Sequence, residues 1–207
     1  MTLKDVALFL ISLPKRSLSL ELSEFFGFSK QVTKSAFCQA RQKLKPEFFQ
    51  DWNDVLVNSY YHHHKENIKR WQGFRIMAVD GSTAYLLNKP ALVEEFGVQS
   101  NKIKDVPMAR LMTYYDTLNN IILKSSISPI AQGELGVALS WVNTISEDTI
   151  TIYDRGYASF VLMYLHTLHN CNFVIRQKLT ETSQIKEFVA SNKNSEIVTV
   201  HITSDAR

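Results

Sequence analysis

The stretch TIYDRGYASF, residues 151–160, decides how the rest of the chain is interpreted. An apolar run leads into it, Asp154 stands where that run ends, and a helix-like pattern follows. An acidic residue in this place is either a cap for the next helix or a functional group at the carboxyl end of a strand. The stretch by itself leaves both interpretations open.

A second acid occupies an equivalent place upstream. The run FRIMAVDGS, residues 74–82, predicts a strand that ends at Asp80 and is followed by a turn at Gly81 and Ser82. Taken alone, a Val-Asp-Gly sequence is more often a turn than a functional site. Functional groups gather at the carboxyl ends of strands in α/β sheets, so Asp80 and Asp154 converge if their strands are neighbours.

The order of elements between residues 73 and 178 indicates an α/β fold. After the first strand and an irregular segment, the pattern predicts a hairpin at 108–128, a helix at 132–145, a strand at 148–154, a helix at 157–170 and a strand at 171–178. Three strands, a helix, a strand, a helix and a strand form the ribonuclease H-like layout, in which strands one and four are adjacent. We therefore expect a ribonuclease H-like mixed sheet with flanking helices, preceded by a small all-helical domain.

Paired carboxylates at the end of a sheet suit a hard divalent cation. Mg²⁺ prefers oxygen ligands and is usually held by one or two carboxylates together with substrate phosphates. Such ions activate an attacking water or hydroxyl and stabilise the leaving oxygen of a phosphodiester. Asp80 and Asp154 are thus the candidate catalytic and metal-binding residues, with Mg²⁺ or Mn²⁺ as the expected cofactor.

The pattern in residues 1–70 predicts helices, because apolar residues recur at spacings of three and four positions and Gly27 is the one glycine in this part of the sequence. Gly27 predicts a tight turn and Ser29 a cap for a second helix. That helix has an apolar stripe at Val32, Ala36, Phe37, Ala40 and Leu44. Its candidate DNA-binding residues are Lys30, Lys34, Arg41 and Lys43, which belong to a segment without acidic residues. Basic side chains after a tight turn are typical of a helix-turn-helix, and the alternative is a bundle helix with a solvated basic face.

Composition narrows the class of protein. The 207 residues are 45% hydrophobic, which is enough for a globular core, and the net charge of +3 permits a polyanionic partner. Cys38 and Cys171 are too few for a disulfide framework or a zinc site, which fits a cytoplasmic protein. No apolar run reaches the roughly 18 residues that a membrane span needs.

Several motifs together carry a family resemblance. FCQARQKLKPEFF, AVDGST, ARLMTYYDTLNNIIL, YDRGYASFVLMYLH and FVIRQK resemble the DDE-type transposases of bacterial insertion sequences, in the insertion-sequence-4 group. The resemblance runs from about residue 20 to the end, and DRGY with VDGS upstream is its most specific part. It implies a ribonuclease H-like core, binding of terminal inverted repeats in double-stranded DNA, Mg²⁺-dependent cutting and joining of strands, and a homodimer in the DNA complex. By this resemblance Asp80 and Asp154 are the first two catalytic acids.

The chain departs from the family pattern at the third acid. The family carries a Glu within a Tyr-x2-Arg-x3-Glu-x6-Lys signature, and the 207 residues contain no such signature. Glu187, on a predicted short helix, is the alternative in a minimal arrangement. We expect a helical DNA-binding region at 1–70, an incomplete catalytic core at 71–180 and the start of a strand-rich insertion at 181–207, so that the chain is the front part of a transposase.

Three residues near the second acid are further DNA-binding candidates. Arg155 is either a phosphate contact or a solvated side chain, and Arg176 is a weaker phosphate-contact candidate. Tyr157 either has a stacking or positioning role beside Asp154, or it begins the core face of the next helix. Two other functions stay open: a non-catalytic DNA-binding fragment that regulates or inhibits transposition, and a ribonuclease H-like nuclease outside transposition.

Overall fold

The computed structural model describes residues 1–12, 15–27, 31–100, 105–179 and 182–199. Its internal contacts divide the chain into two compact units, Met1–Trp52 and Asn53–Arg207. Helix α4, Glu47–His63, crosses this division. The helical part of the sequence continues to a short 3₁₀ turn at Lys65–Asn67.

Three helices form the N-terminal unit before α4: α1 at Leu3–Ile11, α2 at Leu18–Phe26 and α3 at Lys34–Arg41. A capping box begins α1, because the Thr2 side chain accepts from the Asp5 amide and the Asp5 carboxylate accepts from the Thr2 amide. Gly27 ends α2 with a φ of 72°, a conformation that costs glycine little.

A small apolar core holds these helices together. Phe9 and Phe37 are buried, and their ring centroids lie 4.8 Å apart in an edge-to-face arrangement. The predicted apolar stripe is confirmed for the residues that join this core, namely Val32, Phe37, Ala40 and Leu44. The stripe was wrong for Ala36, which is exposed.

The predicted start of the second helix was wrong. Helix α3 begins at Lys34, and the Thr33 side chain caps it by accepting from the Ala36 amide at 3.2 Å. Helix α2 ends at Phe26, and residues 28–30, where the predicted tight turn falls, lie outside the described residues. Ser29 lies outside the described residues. Threonine and serine both satisfy a helix N-terminus, so the sequence pattern did not distinguish the two sites.

The second unit is built on a mixed sheet. Its strands within the described residues are β1 (Arg75–Tyr85), β2 (Val98–Ser100), β3 (Asp105–Asp116), β4 (Ile121–Pro129), β5 (Thr149–Tyr153) and β6 (Asn172–Ile175). Its further helices there are α5 (Pro90–Phe96), α6 (Glu134–Trp141), α7 (Phe160–Leu168) and α8 (Ser183–Ala190). The strand order is β2-β3-β1-β5-β6, with β4 also paired to β3.

The strand directions confirm the predicted ribonuclease H-like layout. β3 is antiparallel to β1, β2 and β4, whereas β1 pairs with β5, and β5 with β6, in parallel. The predicted hairpin is β3 and β4, joined through residues 117–120 with Asn120 at a φ of 57°. Strands one and four of the predicted order are therefore adjacent, as that layout requires.

The prediction that the first strand ends at Asp80 was wrong. β1 continues to Tyr85, and Gly81 and Ser82 are strand residues rather than a turn. The antiparallel partner β3 is 12 residues long and pairs with Met77–Tyr85, which satisfies the backbone of the extension. The parallel partner β5 pairs only with Arg75–Val79. Asp80 is therefore the first residue of β1 beyond its pairing with β5.

Buried apolar side chains join α6 and α7 to the sheet. Met77 of β1, Met112 of β3 and Leu162 of α7 are fully buried in one cluster with Val137 of α6 and Tyr153. Helix α7 begins at Phe160, three residues later than predicted, because a 3₁₀ turn at Arg155–Tyr157 precedes it. This turn lies directly after Asp154.

The C-terminal part agrees only partly with the sequence pattern. The predicted short helix is α8. In the predicted strand-rich insertion at 181–207, residues 196–199 have no regular secondary structure, and residues 200–207 lie outside the described residues. In the described part of the chain, no helix has both the length and the apolar character to cross a membrane.

Candidate active site

The parallel pairing of β1, β5 and β6 ends at the same level in all three strands. Val79 of β1 is in register with Tyr153 of β5, and Tyr153 is in register with Ile175 of β6. The next residues along the chain are Asp80, Asp154 and Arg176. Neighbouring strands lie about 4.8 Å apart, so the backbone brings the two acids together with a basic residue beside them.

Both acids are exposed. Asp80 Oδ1 accepts from the amide of Gly81 at 2.9 Å. Asp154 occupies the N-cap position of the 3₁₀ turn, yet its side chain makes no capping hydrogen bond. The turn is closed instead by the backbone, where the Tyr157 amide donates to the Asp154 carbonyl at 3.0 Å. The cap interpretation therefore does not account for the carboxylate of Asp154.

Two exposed carboxylates on adjacent strands are a suitable donor set for Mg²⁺ or Mn²⁺, which keep several water ligands when few protein oxygens bind them. Across the described ranges, no group of three or more His, Cys, Asp or Glu is arranged to hold a metal ion. Glu187 on α8 is exposed and does not complete such a group there. The carboxylate oxygens of Asp80 and Asp154 together suit Mg²⁺ or Mn²⁺.

Glu134, at the start of α6, belongs to this site although the sequence pattern did not indicate it. Its Oε1 atom lies 2.5 Å from Arg110 Nη1, and its Oε2 atom accepts from the Tyr157 hydroxyl at 3.1 Å. A Cβ atom added at Gly81 would lie 2.5 Å from the Cδ atom of Glu134, so the carboxylate packs directly against Gly81. The weak signal in the sequence was an acid in the first turn of a predicted helix.

Tyr157 is buried with 3% of its surface exposed, and its ring packs against that of Tyr153 at 5.7 Å between centroids. Burial raises the pKa of its hydroxyl above the ordinary value, and the neighbouring Glu134 carboxylate adds to the effect. The hydroxyl thus stays protonated and donates to Glu134. This burial does not suit stacking on a DNA base, and Tyr157 belongs to the apolar core cluster, as the core interpretation expects. A positioning role for Tyr157 remains a prediction.

Arg155 and Arg176 place positive charge at the same end of the sheet. Both are exposed, one directly after Asp154 in the chain and the other on the neighbouring strand end. The Arg176 amide donates to the Tyr153 carbonyl at 3.3 Å, which extends the β5–β6 ladder by one residue. Contacts of these two side chains with phosphate remain predictions.

In the N-terminal unit, the predicted basic residues lie on or just after α3. Lys34, Arg41 and Lys43 are exposed. Lys34 and Arg41 are seven residues apart, which is about two helical turns, so they share one face of the helix. Lys30 lies outside the described residues. DNA binding by this group remains a prediction.

The comparisons with known proteins give one sequence relative. No protein-family model matches the chain. The chain is 29% identical over 149 residues to a curated protein of Escherichia coli (strain K12) named putative transposase InsZ. The match covers 68% of this chain and 48% of the relative, so the chain spans about half the length of the curated relative it matches. The similarity supports a transposase and does not distinguish one group of transposases from another.

Solved structures with partial similarity are also transposases. The Mos1 transposase paired-end complex with the left transposon end aligns over 91% of this chain and 69% of its own, at 8% identity and a TM-score of 0.33. The piggyBac transposase synaptic complex with hairpin DNA aligns over 95% of this chain and 41% of its own, at 15% identity and a TM-score of 0.35. TM-scores this low do not establish a shared fold, and the fold assignment rests on the strand order.

Proposed function

We propose that the chain acts as a DDE-type transposase of a bacterial insertion sequence, in the insertion-sequence-4 group. Asp80 and Asp154 would carry metal-dependent phosphoryl transfer on DNA. The observation that carries the proposal is the register of β1 and β5, which ends at Val79 and Tyr153 and leaves an exposed acid after each. The sequence relative named as a putative transposase supports the class of protein.

The residues around the acids have distinct roles in this proposal. Asp80 and Asp154 hold the cation, which when bound supplies activation of a water or hydroxyl and stabilisation of the leaving oxygen. Arg155 and Arg176 contact the phosphates on either side of the reacting one, because they are exposed beside Asp154. Their positive charge attracts the DNA backbone to the end of the sheet that carries the acids.

Recognition of the element's ends is assigned to the N-terminal unit. Lys34, Arg41 and Lys43 are exposed on and after α3, and they suit contacts with the phosphates of the terminal inverted repeats. Two copies of the chain would bring two ends together in a homodimer on DNA. The cytoplasm is the compartment in which such a protein would meet its DNA.

The test is a nicking assay on duplex DNA that carries the element's inverted repeats, with Mg²⁺ or Mn²⁺, combined with fluorescence anisotropy for binding. We expect Asp80→Asn and Asp154→Asn to abolish nicking while binding is retained. Asp51→Asn is the matched control, because Asp51 is an exposed aspartate on α4 and belongs to the other compact unit. If the unaltered chain nicks the DNA and both site variants nick it at the same rate, the catalytic assignment is refuted.

A second candidate is a non-catalytic DNA-binding protein that regulates transposition. It is favoured by one observation, that no group of three acidic or metal-binding side chains forms among the described residues. The same assay separates the two candidates. Specific binding to the repeats with no nicking by any variant would support the regulator, and absence of binding would contradict both.

A further inference from the structure

A bridge of three side chains connects the elements that carry the two acids. Arg110 of β3 pairs with Glu134 at the start of α6, and Glu134 accepts from the hydroxyl of Tyr157 in the turn after Asp154. The bridge crosses β1 at Gly81, the residue next to Asp80, where the Glu134 carboxylate occupies the space of a Cβ atom. One carboxylate thus contacts both the strand of Asp80 and the turn of Asp154.

The geometry does not suit Glu134 as a metal ligand in its own right. One of its oxygens is 2.5 Å from Arg110 and the other accepts from Tyr157 at 3.1 Å. Arg110 neutralises its charge, and the Arg110 side chain is only 20% exposed, so solvent screens the pair incompletely. A carboxylate that is already paired and hydrogen-bonded orients its neighbours better than it binds a cation.

We propose that Glu134 is a positioning residue that fixes the turn carrying Asp154 against the strand carrying Asp80, and thereby sets the spacing of the two carboxylates. The inference rests on the proposed function for its chemical meaning. Its structural part stands on the Arg110–Glu134–Tyr157 bridge alone. Residues that orient metal ligands from outside typically change metal affinity by about 10-fold to 100-fold when they are removed.

The first experiment measures the turn without any metal. Amide hydrogen exchange is followed in the peptide that covers residues 154–158, in the whole 207-residue chain and in its Glu134→Ala and Glu134→Gln variants. We expect exchange to be about tenfold faster in Glu134→Ala and close to that of the unaltered chain in Glu134→Gln, whose amide still accepts from Tyr157. Equal exchange in Glu134→Ala and the unaltered chain would overturn the positioning role.

The second experiment measures Mn²⁺ binding by electron paramagnetic resonance of the free ion, well below the melting temperature of each variant. We expect Glu134→Ala to weaken Mn²⁺ binding about tenfold, with Glu134→Gln restoring most of it and Asp80→Asn removing it. Glu147→Ala is the matched control, because Glu147 is an exposed glutamate before β5. A loss of stability alone would not change metal affinity under these conditions.

The outcomes distinguish the two proposals. If Asp80→Asn weakens Mn²⁺ binding and Glu134→Ala does not, the positioning role is wrong and the proposed function stands. If Asp80→Asn binds Mn²⁺ as the unaltered chain does, the proposed metal site is wrong, and the role of Glu134 in setting carboxylate spacing falls with it. Faster exchange in Glu134→Ala would in that case support only the connection between Glu134 and the turn.

Discussion

Arg75 and Asp148 join the beginnings of β1 and β5, at the end of the strand pair opposite to Asp80 and Asp154. Arg75 Nη2 lies 3.0 Å from Asp148 Oδ1, and the Arg75 amide donates to the Asp148 carbonyl at 3.0 Å. Arg70 pairs with the other oxygen of Asp148 at 2.8 Å. The ion pairs thus secure the register that places the two acids together.

These contacts make stability depend on pH below about 4. Burial alone would raise the pKa of Asp148, but hydrogen bonds from Ser146, Arg75 and Arg70 lower it to about 2. Because the pKa is lower in the folded chain, the ionised Asp148 stabilises the fold at pH values above the ordinary pKa of 3.8. This contribution is lost as pH falls toward 2. We expect the unaltered chain to lose about 1 kcal/mol more than Asp148→Asn between pH 6 and pH 2.5, since the side chain is partly exposed and screened. Urea denaturation at the two pH values measures the difference, and Asp51→Asn should behave as the unaltered chain does.

A buried histidine predicts a second pH dependence in a different range. His166 of α7 is fully buried, and its Nε2 atom is 2.9 Å from the Tyr153 hydroxyl. Burial lowers the pKa of His166, so the unfolded chain binds a proton more readily and stability falls as pH drops below about 6.5. We expect His166→Phe to reduce the loss of unfolding free energy between pH 7 and pH 5. The exposed His62 provides the control, and an equal loss in His166→Phe and His62→Gln would contradict the assignment.

We expect that a side chain at Gly81 and the present contacts of Glu134 exclude each other. In Gly81→Ala the new Cβ would displace the Glu134 carboxylate, and the fold would lose hydrogen bonds to a charged group, at a cost of about 1 to 2 kcal/mol. The double variant Gly81→Ala with Glu134→Ala should show non-additive free energies of unfolding in a double-mutant cycle. Gly136→Ala is the control of opposite sign, because nothing lies near its Cβ position in α6 and alanine favours a helix by about 0.5 to 1 kcal/mol. Strict additivity in the cycle would mean that Gly81 and Glu134 do not act together.

The basic residues of α3 should contribute to DNA affinity through phosphate contacts. Lys34→Ala and Arg41→Ala are each expected to reduce the slope of log affinity against log salt concentration by about 1. Lys186→Ala, an exposed lysine of α8, is the matched control and should leave the slope unchanged. Anisotropy titrations from low to moderate salt measure the slope. If Lys34→Ala and Arg41→Ala both keep the slope of the unaltered chain, α3 does not contact the DNA backbone.

The sequence predicted the parts of the fold that local patterns determine. Apolar runs that end in an acid identified β5 and Asp154, and the residues at 117–120 identified the hairpin. The extension of β1 beyond Asp80 was missed because it depends on pairing with β3, a partner about 30 residues away that a turn-like Gly-Ser sequence does not reveal.

Glu134 was missed for a related reason. It lies 24 residues from Arg110 and 23 from Tyr157 in the chain, and only the packing of α6 on the sheet brings the three side chains together. Nothing in the spacing of these residues distinguishes them from a surface acid, a surface base and a core aromatic. Thr33 and Ser29 show the same limit on a smaller scale, since both residue types cap helices well.

The hydrogen-bonded ladder between β1 and β3 extends farther along β1 than the ladder between β1 and β5. On one side β1 is paired with β3 as far as Tyr85, whereas on the other its pairing with β5 stops at Val79. The six residues from Asp80 to Tyr85 extend about 20 Å beyond the end of β5, at the usual rise of an extended strand. On the β3 side of β1 the paired backbone therefore continues beyond the acids, whereas on the β5 side no strand of the described residues pairs with β1 beyond Val79. The two sides of Asp80 thus differ in backbone structure, with a paired strand on one side and the turn after β5 on the other.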